Sequence, residues 1–148
     1  MMLAPAVMIS ACGLMLLALN NKYSSIVNRI RLLNEERRRY MIKMQNNSDI
    51  EFVETLRLQS INKQLDDLLL RLRLVRNGII FHVLGVFMFI LTSLIIGAEL
   101  ILVINLFELF KVISFSTGMI FVAIGVIYSL TETIKGYKIV YLDVKADE

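Results

Sequence analysis

The chain has 148 residues, of which 57% are hydrophobic and 20% charged, with a formal net charge of +3. That composition is too apolar for an ordinary soluble domain. One cysteine excludes an intrachain disulfide and a cysteine-based zinc cluster. With a single histidine as well, metal ligands are scarce, and no metal or other cofactor is expected.

The apolar residues are bunched. Residues 3–19, 79–98 and 112–130 carry no charge, and each run is close to the roughly 20 residues that a helix needs to cross a bilayer core. They predict an all-α integral membrane protein with transmembrane helices at 1–21, 78–104 and 112–135. A helical hairpin over 22–77, an outer connection at 105–111 and a tail at 136–148 fill the remainder.

In the first span, "ISACG" at 9–13 has the shape of a lipobox. No positive charge precedes Cys12, however, and the apolar run continues to Leu19, so cleavage there would divide the hydrophobic segment. Cys12 reads instead as a small apolar residue within a helix. Ala4, Ala11, Ala18 and Ser25 recur every seven residues, and Ala6 and Ser10 make a small-xxx-small pair with Gly13 near the same face. Membrane helices place small residues where backbones approach closely. The first helix is therefore expected to pack against its own second span or another subunit. Pro5 falls in the first turn, where its missing N–H leaves no helical bond unmade. Asn20 and Asn21 close the span, either as hydrated interfacial residues or as a polar collar at the inner mouth of a pore. Ser10, Leu14 or Leu17, Asn20 and Ser24 share a face, a thin polar line.

No Pro or Gly interrupts the next segment, which predicts one helix from residue 3 to 46, about 65 Å long. "NNSD" at 46–49 is the expected turn, and Ser48 with Glu51 fits a capping box. Leu58, Ile61, Leu65, Leu68, Leu72 and Val75 then alternate three and four residues apart, the seam of an antiparallel coiled-coil hairpin. Leu69, Leu70 and Leu74 widen that apolar face and point to packing on neighbouring subunits. Asn77-Gly78 marks a bend where the helix enters the membrane.

Twelve of the sixteen Lys and Arg residues lie in 22–76, three lie in 131–148, and Lys111 alone falls in the outer connection. Basic residues beside membrane helices mark the cytoplasmic side. The hairpin and the C-terminus are thus predicted inside, and the N-terminus outside. This placement assigns the basic charge to a membrane, not to nucleic acid. Lys22, Arg29, Arg73, Arg76, Lys135 and Lys138 are candidates for lipid headgroups. Arg37-Arg38-Arg39 begins about 25 Å beyond Asn20, well past the Debye length of about 8 Å, and reads as a solvated face.

Two ionisable residues mark the second span. Glu99, near the outer interface, either pairs with Lys111 across the hairpin or forms an acidic ring at the mouth of an oligomeric pore. His82, one turn inside the cytoplasmic end, is expected to bond to a neighbouring helix and is a candidate pH-sensitive group. The third span continues to Lys135, with Gly136 as its C-cap. The tail "YKIVYLDVKADE" is rich enough in β-branched and aromatic residues to pair or dock.

The stretch "APAVMISACGLMLLALNNKYSSIVNRIRLLNEE" resembles the bacterial membrane proteins grouped as domain of unknown function family 2721. The resemblance is carried by the Pro-Ala start, the "ISACGL" core, the run of Leu, and an Asn before a basic amphipathic helix with "RIRLL". It implies a protein of the bacterial inner membrane with no assigned activity, and it carries over no catalytic residues. The sequence has no nucleophile–His–acid set, Gly-rich phosphate loop or HExxH, so no enzyme is expected. Two functions fit: a homo-oligomer forming an ion-conducting pore, or a non-conducting scaffold or accessory subunit whose hairpin binds a cytoplasmic protein.

Overall fold

The structure, a computed structural model, describes residues 3–46, 52–102 and 108–146, with side chains described over 4–44, 55–99 and 108–137. It is three helices: α1 (Leu3–Asn46), α2 (Phe52–Leu102) and α3 (Glu108–Ala146). Each is long and apolar enough to cross a membrane. At 1.5 Å per residue they measure about 66, 77 and 58 Å, so each extends well beyond the roughly 30 Å of a hydrocarbon core. The turn at 46–49 and the Ser48–Glu51 box lie outside the described residues, apart from Asn46.

α2 stays helical through Asn77-Gly78. Two expected boundaries differ. Residues 108–111, expected in the connection, form the first turn of α3, where Glu108 complements the helix dipole. Gly136 does not end α3, which runs on to Ala146. A Cβ at Gly136 would lie 2.9 Å from Nη2 of Arg71, so this glycine makes room for a guanidinium. Of the tail beyond it, residues 137–146 are helical, not strand-like.

α2 is the middle helix, packed against both α1 and α3. The α1–α2 core gathers Ile26, Leu68 and Val75, flanked by Tyr23, Ile30, Leu33, Leu72 and Ile79. Ile61 and Leu65 extend it toward the hairpin tip. Glu36 with Arg57 (3.1 Å) and Arg37 with Asn62 (3.5 Å) continue the antiparallel pairing. The Glu36 hydrogen bond and charge raise the Arg57 guanidinium above its ordinary range. Leu69 and Leu70, about half exposed, remain off this core.

α1 meets α2 through Pro5, Cys12, Leu19 and Ile26, a buried column with a seven-residue repeat. Of the two partners expected for the small-residue face, its own second span is therefore not the one it meets in this chain. Ala4, Ala11, Ala18, Ser25 and Gly13 are exposed, and a Cβ on Gly13 would meet nothing within 4 Å. The larger side chains of the neighbouring column fill the antiparallel interface, and the small ones are left facing outward.

Candidate functional site

α2 and α3 pair through two columns, each repeating every seven residues. On α2 the column is Arg71, Gly78, Gly85, Thr92 and Glu99. On α3 it is Lys111, Gly118, Gly125 and Glu132. Glycines occupy the middle and charges the ends. The glycines permit close backbone approach. A Cβ on Gly85 would lie 2.6 Å from Cγ2 of Val122 and 3.2 Å from the Gly118 carbonyl oxygen, and one on Gly118 would lie 2.8 Å from the Phe89 ring. Phe81 stacks on Tyr128 at 5.5 Å, and Phe89 packs on Phe115 at 5.4 Å, on either side of this seam.

At one end of the seam Glu132 is fully buried. Its Oε1 accepts from Nε and Nη2 of Arg71 at 3.0 and 2.9 Å, and its Oε2 faces the ammonium of Lys22. Lys22 also donates to Oγ1 of Thr133 at 3.1 Å. One carboxylate thus ties all three helices together. Two cations against one acid leave the cluster at +1, with Lys22 35% and Arg71 22% exposed. A buried carboxylate needs this much compensation, because an isolated charge in a low-dielectric setting is strongly disfavoured.

At the other end Lys111 donates to Glu99 at 2.5 Å. Glu99 Oε1 is buried without a hydrogen-bond partner among the described residues. One heptad inward, Thr92 donates to the Met88 carbonyl at 2.9 Å and meets Ser114 at 3.1 Å. Lys111 and Glu132 stand 21 residues apart on α3, about 32 Å along a helix. That matches the thickness of a hydrocarbon core.

His82 is fully buried, with Nδ1 2.9 Å from the Gly78 carbonyl oxygen. A carbonyl only accepts, so Nδ1 carries the proton. Nε2 is buried without a partner among the described residues. The ring occupies the space that a Cβ on Gly125 would need.

The other expected site residues are not brought into these clusters. Ser10, Asn20 and Asn21 are exposed, and the Ser10 hydroxyl donates to its own helix at Ala6 (3.1 Å). Arg29, Arg73, Arg76 and Lys135 are exposed, and the Lys138 side chain lies outside the described residues. Glu132 and Arg71 join the clusters without being among the expected residues. The signal available was their position at the charged ends of two glycine-bearing heptad columns. Among the described residues no group of three His, Cys, Asp or Glu side chains comes together to hold a metal ion.

A family model described as "Protein of unknown function (DUF2721)" matches residues 2–141, nearly the whole chain. No curated protein and no solved structure matches it.

Proposed function

We propose that this chain, which belongs to the DUF2721 family, is a homo-oligomeric integral membrane protein without a catalytic step of its own. Its charge distribution supports a hairpin and C-terminus in the cytoplasm and an N-terminus outside. The family resemblance supports the bacterial inner membrane. The glycine seam, closed by an ion cluster at each membrane border, makes α2 and α3 one rigid unit, and Lys22 fastens α1 to it.

The observation that carries the oligomer is a strip on α1. Ala6, Ser10, Gly13, Leu17, Asn20 and Ser24 are all exposed and alternate four and three residues apart, so they line up along one face. Five of the six are small or polar. In lipid the Asn20 amide would lose its hydrogen bonds at a cost that a facing amide or hydroxyl removes. The same strip of another copy offers both the close fit and the polar partner.

A non-conducting scaffold is the better-supported activity. Glu99 is neutralised by Lys111 within the protomer, which argues against an acidic ring. The hairpin presents Leu32, Leu69 and Leu70, about half to two-thirds exposed, as a surface for a cytoplasmic partner. Ion conduction is the second reading, favoured by the polar side chains of Ser10, Asn20 and Ser24 along the strip.

The test is the detergent-corrected mass of the purified chain, with Gly13→Leu beside it. The expected result is a discrete oligomer that dissociates when the strip is filled. A monomeric wild-type chain refutes the proposal. Ion flux into vesicles carrying the oligomer, lost in Asn20→Leu, would favour the conducting version.

A further inference from the structure

At the end of the seam away from Glu132, the three helices enclose a cavity of about 380 Å³. That volume falls within the roughly 300–1,000 Å³ of small-molecule sites, which are mostly apolar with a few placed polar groups. Pro5 of α1, Ile96 of α2, and Val112 and Phe115 of α3 supply apolar walls. Thr92, Glu108, Lys111 and Ser116 supply the polar side chains. All of these residues belong to one chain.

The polar side chains select the chemistry of an occupant. Thr92 is engaged with the Met88 carbonyl and Ser114. Lys111 gives one N–H to Glu99. An ammonium has three, and Lys111 is still 22% exposed beside that bond. The Ser116 side chain is exposed as well. The cavity thus has donors to offer and calls for an acceptor. The charges disfavour an anion in that role, because Glu99 and Glu108 against Lys111 leave −1. They also disfavour a cation, which would sit beside the Lys111 ammonium, since Lys111 lines the wall and Glu99 does not. A neutral acceptor meets both conditions.

We infer that this cavity binds a neutral lipophile through a carbonyl oxygen. The oxygen accepts from Lys111 and Ser116, and the apolar body lies among Pro5, Ile96, Val112 and Phe115. Membranes offer this chemistry from two sources, the ring of a quinone and the ester of a neutral glycerolipid. A quinone ring would lie against Phe115, in the offset or edge-to-face contact that aromatic pairs prefer. An ester would place its acyl chain along the same apolar walls. The inference goes beyond the scaffold reading and does not depend on association of copies, because a single chain encloses the cavity.

The test is native mass spectrometry of the full chain in detergent micelles, counting probe molecules retained per chain. The probes are decylubiquinone, dioctanoylglycerol, decylbenzene, which lacks a carbonyl, and the anion decanoate. The expected result is retention of decylubiquinone or dioctanoylglycerol about ten-fold above both decylbenzene and decanoate, the worth of one hydrogen bond from a charged donor. Which of the two is retained identifies the source. Lys111→Met combined with Glu99→Gln, which leaves no unpaired carboxylate at Glu99, should abolish the preference for the carbonyl compounds. Ala4→Phe, at an exposed residue lining the cavity, should reduce retention of the preferred probe several-fold with Lys111 intact. Leu94→Phe, at an exposed site on α2, should leave it unchanged. Equal retention of decylbenzene, full retention in Ala4→Phe, or a carbonyl preference that survives the double substitution overturns the inference. So does strongest retention of decanoate, which would make the cavity an anion site.

Discussion

Gly125→Ala adds one methyl group to the α2–α3 seam. The Cβ would collide with the His82 ring and approach the Gly78 carbonyl oxygen to 3.2 Å. The ring cannot swing away freely, because its Nδ1–H is bonded to that same carbonyl. Overpacking a tight contact costs about 1–3 kcal/mol, and a lost hydrogen bond adds about 1 kcal/mol. Against this, Ala is a better helix former than Gly by about 1 kcal/mol. The net expectation is a destabilisation of about 1–3 kcal/mol. Gly97→Ala is the matched control, since its Cβ would meet nothing within 4 Å, and it should be neutral or stabilising by up to about 1 kcal/mol. Unfolding by sodium dodecyl sulfate in mixed micelles, followed by far-UV circular dichroism, compares the two directly. Equal midpoints for Gly125→Ala and Gly97→Ala would refute the close-packed seam.

Glu132→Gln removes the charge that Lys22 and Arg71 share and should cost about 3 kcal/mol in the same titration. Adding Arg71→Gln to it should recover part of that loss, and a further loss would contradict the cluster. Leu68→Ala should destabilise by about 2–5 kcal/mol, whereas the exposed Leu70→Ala should stay within about 0.5 kcal/mol of wild type. Cys12 is only 4% exposed, so N-ethylmaleimide should label it slowly until the helices are separated. Rapid labelling of the folded chain would mean that α1 does not pack on α2 through this face.

The helical framework was legible in the sequence, because charge-free runs and a 3-4 leucine pattern are strong signals. The seam from Leu58 to Val75 is buried or half-buried along its length, since in water apolar periodicity marks the side that must be covered. Inside the apolar spans that rule fails. Cys12 and Leu19 are buried while Leu14 and Leu17 are exposed, and nothing in their polarity separates them, because lipid accepts both. Small residues recur most regularly on α1, yet the tight intrachain contact uses Gly78, Gly85, Gly118 and Gly125. Glu132 lies just past the third charge-free run, where a charge gives no sign of burial. Only the fold shows that it is enclosed by cations from two other helices. The pairing of Glu99 with Lys111 was one of two sequence alternatives, and the antiparallel α2–α3 register brings those side chains together.

The most direct test of the proposed assembly is disulfide trapping between copies in the membrane. In a Cys12→Ser background, single cysteines at Ser10 and Ser24 on the strip are compared with cysteines at Leu94 and Ile127, which are exposed on α2 and α3. Association through the strip gives covalent dimers from the two strip positions under mild oxidation and none from the other two. Dimers from Leu94 or Ile127 with none from Ser10 or Ser24 would contradict it.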